Sequence, residues 1–249
     1  MDEFRFTRVN TLSQAVQAGA KSTTAQMGAT VRFVAGGTNL IDLMKLRVEK
    51  PEQVVDINGL PLDKTERLAN GELYIGALVR NSDLARNPIV ERDYPVLSQA
   101  LLSGASPQLR NMATTSGNLL QRTRCVYFRD TAHECNKRNP GSGCSALDGY
   151  NRTLAILGAS DSCIATNPSD MNVALTALEA TIHLHGVKGN RSVPIADFYL
   201  LPGTTPDRET VLESGDLITH VTLPALAPGT QSVYLKLRVR QAYMFALAS

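Results

Sequence analysis

The stretch that most constrains this 249-residue chain lies near its middle and contains every cysteine of the sequence, Cys125, Cys135, Cys144 and Cys163. Charged residues, glycine and proline separate the first three cysteines, without the spacing of apolar residues that predicts a helix or a strand. We therefore expect a long loop, and a long ordered loop in a compact domain usually has a function. Four thiolates around one bound group would order it.

Four cysteines at this spacing are compatible with a bound metal ion, a metal cluster, disulfides or free thiols. Zinc sites usually contain close pairs such as C-x2-C, whereas here nine, eight and eighteen residues separate successive cysteines. Two disulfides are an alternative, although a chain of this length does not need them as a small secreted domain does. A [4Fe-4S] cluster also takes four cysteines, although the ferredoxin spacing is absent. The spacing alone leaves the cluster, zinc, disulfides and free thiols open.

Length and composition indicate a globular protein with a substantial core and two domains. The formal net charge of +2 is too small to suggest nucleic-acid binding. No apolar run has the length of a membrane span, and the first residues lack the apolar core of a signal peptide. The sequence ends in an apolar, strand-like segment, from which we expect a truncated product or a fragment.

A glycine pair separates a predicted strand from a predicted helix within residues 34–45, VAGGTNLIDLMK. A strand, a glycine turn and a helix start present backbone N–H groups to an anion, and glycine lets a phosphate approach closely. Thr38 and Asn39 can add side-chain donors. An ordinary strand-to-helix turn has the same pattern, so this motif alone does not establish a phosphate site.

A second stretch, residues 105–122, reads ASPQLRNMATTSGNLLQR and is rich in small and hydroxyl residues. We predict a loop that passes close to a polar ligand and offers N–H and O–H donors, with an ordinary solvent loop as the alternative. Further along the chain, the apolar spacing predicts a helix after Ser169 and Asp170 and strands over residues 181–185, 216–223 and 233–239.

Both motifs, at residues 34–45 and 110–122, resemble the FAD-contacting segments of the flavoprotein subunits of molybdenum hydroxylases. The cysteine stretch resembles the insertion of a subgroup that adds a [4Fe-4S] cluster to the flavin, which includes the FAD subunit of bacterial periplasmic aldehyde oxidoreductase. The resemblance covers nearly the whole chain. It implies the two-part α+β fold of the vanillyl-alcohol oxidase and CO dehydrogenase flavoproteins.

The resemblance also implies a domain division. A small α/β subdomain would occupy residues 1–57. A larger antiparallel α+β subdomain would occupy residues 58–228, with the Fe–S loop at 122–165. Residues 229–249 would begin a C-terminal domain that is cut short.

The residues that would contact each cofactor follow from the same resemblance. Cys125, Cys135, Cys144 and Cys163 would ligate the cluster. Ser116 stands where the family often has the first of two glycines. The residues expected to contact FAD are Val34, Ala35, Gly36, Gly37, Thr38, Asn39, Leu40, Ala105, Arg110, Ala113, Thr114, Ser116, Gly117, Asn118, Asp170, Ile218 and Lys236.

Electron transfer is the function that the resemblance implies, with no catalytic residue on this chain. A molybdenum-cofactor subunit would oxidise an aldehyde or a similar substrate, a [2Fe-2S] subunit would pass the electrons to the FAD, and an external acceptor would receive them. The chain would be periplasmic if exported with a signal-bearing partner, and otherwise cytoplasmic. The alternatives are a stand-alone FAD-dependent oxidoreductase of the same fold and a non-enzymatic binding module held by metal or disulfides.

Overall fold

The computed structural model describes residues 1–240 and 245–249, and its first strands form a small parallel sheet. The strands β1 (Arg5–Arg8), β2 (Val31–Val34) and β3 (Gln53–Asp56) lie in the order β1-β3-β2. Every residue of the central strand β3 is buried, as expected for a parallel strand that is covered on both faces. The helices α1 (Leu12–Gly19) and α2 (Leu40–Lys45) connect the three strands. The predicted strand–helix–strand unit after residue 31 is therefore present.

The second sheet is antiparallel and has five strands in the order β4-β5-β8-β6-β7. These strands are β4 (Thr65–Arg67), β5 (Leu73–Gly76), β6 (Thr181–Gly186), β7 (Gly189–Pro194) and β8 (Leu217–Leu223). Residues of β6 alternate between buried and partly exposed, because one face of the sheet packs on the core. The fold is thus α+β, with a parallel and an antiparallel part.

Helices pack against the antiparallel sheet and extend its core. Apolar side chains from α5 (Pro95–Ser103) and α9 (Asp170–Ala177) belong to the same buried cluster as the inward-facing residues of β5, β6 and β8. Within the described part of the chain, no helix combines the length and the apolar character that crossing a membrane requires. The remaining helices are α3 (Asn81–Ala85), α4 (Pro88–Asp93), α5 (Pro95–Ser103), α6 (Pro107–Met112), α7 (Thr115–Leu119), α8 (Val126–Arg129), α9 (Asp170–Ala177) and α10 (Ile195–Phe198).

Two local predictions are wrong. The predicted loop over residues 105–122 contains the short helices α6 and α7. The strand predicted over residues 233–239 joins neither sheet, and its segment forms only an isolated bridge between Leu237 and Ala248 among the described residues. An alternating pattern indicates which side chains would share a face, but a strand also needs a neighbour with free N–H and C=O groups.

Candidate functional site

The first side of the site is the turn between β2 and α2. A Cβ at Gly36 would lie 1.9 Å from the carbonyl oxygen of Met112, so glycine is required there by the close approach of two backbones. Gly37 has a φ of +73°, a left-handed conformation that favours glycine. A Cβ at Gly37 would lie 3.1 Å from the side chain of Ile41. The space into which a Cβ at Gly36 would project is therefore occupied by the backbone of the facing segment.

The second side of the site is α7 and the residues just before it. Thr114 caps this helix, because its hydroxyl accepts a hydrogen bond from the N–H of Gly117 at 3.2 Å. The N–H groups of Thr115 and Ser116 donate to carbonyls of residues 79 and 77, each at 2.9 Å. These two amides anchor the segment to the chain that follows β5, so they are not donors for a ligand. The donors that remain on this side are chiefly side chains.

A continuous cleft separates the two sides. Its two parts meet at Thr38, Asn39 and Gly117, which line both. The residues predicted to contact FAD line the cleft, except Lys236: residues 34–40, Thr114, Ser116, Gly117 and Ile218 line the first part, and Thr38, Asn39, Ala105, Arg110, Ala113, Gly117, Asn118 and Asp170 line the second.

Asp170 links the cleft to the segment near residue 236. Its carboxylate accepts hydrogen bonds from Lys236 Nζ at 2.8 Å and from the Tyr234 hydroxyl at 2.5 Å. Burial and the hydrogen bond to Asp170 raise the pKa of Tyr234. Only 10% of the Asp170 side chain and 3% of the Lys236 side chain are exposed. Lys236 therefore lies behind Asp170 and fixes the position of this carboxylate.

Several charged residues in the cleft were not among the predicted contacts. Arg32, Glu49 and Arg122 line its first part, and Arg124 lines its second part. Burial, and then the charge of the neighbouring Arg129, lowers the pKa of Arg124. Arg122 belongs to the second motif, so the sequence offered a signal for it. Arg124 follows that motif by two residues and Arg32 precedes the first motif by two, whereas Glu49 lies outside both motifs and only the fold places it here.

The four cysteines line one small cavity beside this cleft. Cys125, Cys135 and Cys163 are buried, Cys144 is partly exposed, and none forms a disulfide. Cys135 and Cys144 pair in an isolated bridge, which places their backbones side by side. Burial raises the pKa of the Cys125 and Cys163 thiols, so a cationic group would be needed to hold both as thiolates.

The spacing of the thiols bears on the kind of group that would fit. In the part of the chain that the structure describes, no three His, Cys, Asp or Glu side chains are grouped closely enough to hold one metal ion. A zinc ion keeps its thiolates about 2.3 Å from the metal. A cluster of four irons and four sulfides is much larger than one ion, so its ligands stand farther apart. The described side chains therefore do not form a preformed site for a single metal ion.

The cysteine loop also packs by burial, contrary to the expectation from its polar sequence. Phe128 is fully buried, and it belongs to an apolar cluster with Leu43 and Val48. Arg138 donates hydrogen bonds of 2.8 Å to the carbonyls of Tyr127 and Phe128, which fixes the start of the loop. The loop therefore has an ordered framework made by the protein itself.

Comparison with known proteins identifies the family. Residues 2–226 match the family model described as the FAD binding domain in molybdopterin dehydrogenase. The chain is 54% identical over its whole length to the aldehyde oxidoreductase FAD-binding subunit PaoB of Escherichia coli K12, of which it covers 76%. It is 31% identical to the carbon monoxide dehydrogenase medium chain of Hydrogenophaga pseudoflava, over 86% of this chain and 58% of that protein.

A solved structure agrees with this assignment. The structure is the carbon monoxide dehydrogenase from Hydrogenophaga pseudoflava that lacks the Mo-pyranopterin moiety of its molybdenum cofactor. The match has a TM-score of 0.68 and 26% identity, and it covers 98% of this chain and 67% of that one. The shared fold confirms the predicted architecture of the CO dehydrogenase flavoprotein type. The chain therefore belongs to the family of FAD-binding domains of molybdopterin dehydrogenases.

Proposed function

We propose that this chain is the FAD- and [4Fe-4S]-containing electron-transfer subunit of a molybdenum-dependent aldehyde oxidoreductase. The observation that carries the proposal is the pairing of two sites in one chain. One is a cleft lined by the predicted FAD contacts, and the other is a neighbouring cavity lined by all four cysteines.

The cleft fits an elongated dinucleotide. Its two parts join where the glycine turn faces α7, and the approach of Gly36 to Met112 brings the two sides together. The hydroxyls of Thr38, Thr114 and Ser116 supply polar contacts along this junction. FAD, when bound, accepts electrons singly or in pairs, which is the chemistry a relay needs. The residues of the chain would bind the cofactor, orient it and limit the access of water.

Two observations support a [4Fe-4S] cluster in the cysteine cavity. All four cysteines line the same cavity, and none is used in a disulfide. The cavity is also largely buried, so ligation would take place away from water. We assign Cys125, Cys135, Cys144 and Cys163 as its four ligands.

The partners and the substrate class come from the relatives. One relative is named as a subunit of an aldehyde oxidoreductase, and a 32% identical relative from Sulfolobus acidocaldarius as a glyceraldehyde dehydrogenase medium chain. We propose that a molybdenum-cofactor subunit oxidises the aldehyde, that a [2Fe-2S] subunit delivers the electrons, and that an external acceptor takes them from this chain. The complex would reside in the periplasm through a signal-bearing partner, or in the cytoplasm.

The division into subdomains is part of the proposal. Residues 1–57 contain the parallel sheet and residues 58–228 contain the antiparallel sheet. We propose that these ranges form the two sides of the FAD site and that residues from 229 onward lead to a further domain. Limited proteolysis with and without FAD tests this division, since cleavage near residue 57 or 228 is expected to slow when FAD is bound.

Anaerobic purification and metal analysis test the function. We expect one FAD and about four irons and four acid-labile sulfides per chain, with a [2Fe-2S] protein and a molybdenum protein in the purified complex. Zinc without sulfide would contradict the cluster assignment. A chain that oxidises aldehydes without any partner would contradict the assignment as an electron-transfer subunit.

A further inference from the structure

A chain of alternating charges connects the FAD cleft to the cysteine cavity. It runs through Arg32, Glu49, Arg122, Glu209 and Lys137. Arg32 Nη2 lies 2.9 Å from Glu49 Oε2, and Arg122 Nη1 lies 2.7 Å from Glu49 Oε1. Arg122 Nε also pairs with Glu209, and Lys137 Nζ lies 3.0 Å from the other oxygen of Glu209. Each carboxylate is thus shared by two cations.

Burial strengthens the electrostatic effect of these charges on neighbouring groups. Only 9% of the Lys137 side chain, 11% of the Arg122 side chain and 25% of the Glu209 side chain are exposed. An exposed ion pair is weakened by water and salt, whereas a buried charge acts through a medium of lower dielectric constant. Lys137 is also held by a hydrogen bond of 2.9 Å from Nζ to the carbonyl of Pro206. Its ammonium group therefore has a fixed position.

Lys137 is a buried cation beside the cysteines. It lines their cavity, and a separate depression that adjoins this cavity is lined by Lys137, Cys163 and Glu209. Glu134 lines the cavity as well, but it is exposed, so water screens its charge. Among the described residues that line the cavity, Lys137 therefore supplies the buried charge, and the Glu209 carboxylate pairs with it.

We propose that Lys137 and Glu209 set the reduction potential of the cluster that the four cysteines hold, an inference that rests on the proposed function. Adding one electron makes the anionic group of cluster and thiolates more negative by one charge. A buried ammonium favours that change, and a nearby carboxylate opposes it. Arg122 neutralises part of the Glu209 charge. Lys137 is a positioning residue in this scheme, since it acts on the cluster through its charge and not as a ligand.

Two single substitutions are expected to move the potential in opposite directions. Lys137→Gln removes the cation and should lower the midpoint potential of the cluster. Glu209→Gln removes the opposing carboxylate and should raise it. A merely structural effect, such as loosening of the loop, would let water reach the cluster in both variants and would shift both potentials the same way. The measurement is a redox titration of the anaerobically purified complex with dithionite and mediators, followed by electron paramagnetic resonance.

Matched controls separate this inference from the proposed function. Lys137→Arg keeps the charge and should leave the potential close to the wild-type value. Lys188→Gln removes a cation whose side chain is 83% exposed and which pairs with Glu213 at 2.8 Å, so it should cause no shift. Iron and sulfide are counted in every sample before titration.

Each possible result supports or contradicts the role of Lys137 and Glu209. A wild-type protein without iron and sulfide would refute the proposed function itself. Intact iron with unshifted potentials, or with both potentials shifted the same way, would overturn the tuning role and leave the cluster assignment standing. If Lys137→Gln loses its iron, Glu209→Gln still decides, because its potential must rise. Loss of iron from both glutamine variants would show that the pair only supports the loop, which also overturns the inference.

Discussion

Replacing Gly36 by alanine tests the contact that holds the two sides of the FAD cleft together. The added Cβ would lie 1.9 Å from the carbonyl oxygen of Met112 and 2.6 Å from its carbonyl carbon. It would also lie 3.1 Å from the Cα of Ala113. These atoms are backbone, so no side-chain rotation relieves the clash. The glycine turn and the segment before α7 must separate.

The size of the effect follows from this geometry. Real Cβ contacts start at 3.0 Å, so the carbonyl must retreat by about 1.1 Å, the difference between 3.0 and 1.9 Å. Overpacking a core typically costs about 1–3 kcal/mol. We expect the upper end of this range, roughly 3 kcal/mol, because backbone must move. If FAD needs the native spacing, the same free energy weakens its binding by roughly 100-fold.

Two measurements check this expectation. Urea unfolding of the FAD-free protein gives the loss of stability, and titration of FAD into the same protein, followed by flavin fluorescence, gives the dissociation constant. Gly189→Ala is a matched control in the β6–β7 hairpin, where nothing lies within 4 Å of the added Cβ but φ is +97°. The control should lose about 1 kcal/mol from backbone strain and keep its FAD affinity.

A Gly36→Ala protein with wild-type FAD affinity would show that the close approach of the two segments does not shape the binding site. A protein that loses stability but binds FAD normally would assign Gly36 to packing only. Either result would remove Gly36 from the proposed FAD contacts.

Three further substitutions test other parts of the structure. Cys135→Ser should remove iron and sulfide while FAD is retained, as measured by metal analysis and the flavin spectrum; retained iron would exclude this ligand. Asp170→Asn should lower the free energy of unfolding by about 3 kcal/mol, because it removes the negative charge of a buried ion pair with Lys236; an unchanged urea midpoint would contradict this. Burial, and then the charge of His183, lowers the pKa of His220 to about 4, so the unfolded chain binds more protons between pH 6.5 and 4 and stability falls as the pH falls through this window. His220→Asn should therefore flatten the dependence of the urea midpoint on pH, and an unchanged slope would refute the assignment.

Elements built from local patterns could be predicted from the sequence. The strand β2, the glycine turn and the helix α2 lie where the sequence predicts them. Ser169 caps α9, because its hydroxyl accepts a hydrogen bond from the N–H of Asn172. The helices α6 and α7 were missed because six and five residues are too few to show a helical period. Their capping residues, Ser106 and Thr114, were the available signal.

The strand predicted over residues 233–239 shows where a pattern is insufficient. Val233, Leu235, Leu237 and Val239 alternate with other residues, as in a half-buried strand, yet each is between 62% and 72% exposed in the structure. Tyr234, which lies between them, is the buried residue. The sequence pattern correctly predicts that exposure alternates along this segment, but it predicts the wrong set of residues to be buried. Which set is buried depends on the element that packs against the segment.

The charged residues that form ion pairs between the FAD cleft and the cysteines are far apart in the sequence. The sequence pattern therefore could not predict which of them would pair. Arg122 lies in the motif that predicts an FAD contact, but its carboxylate partner Glu49 is 73 residues away. Its second partner, Glu209, is shared with Lys137 beside the cysteines. Burial also determines whether such charges matter, since the same residues on the surface would be screened by water. Because Arg122 contacts a carboxylate on each side, removing its charge would disturb the FAD cleft and the surroundings of the cysteines together.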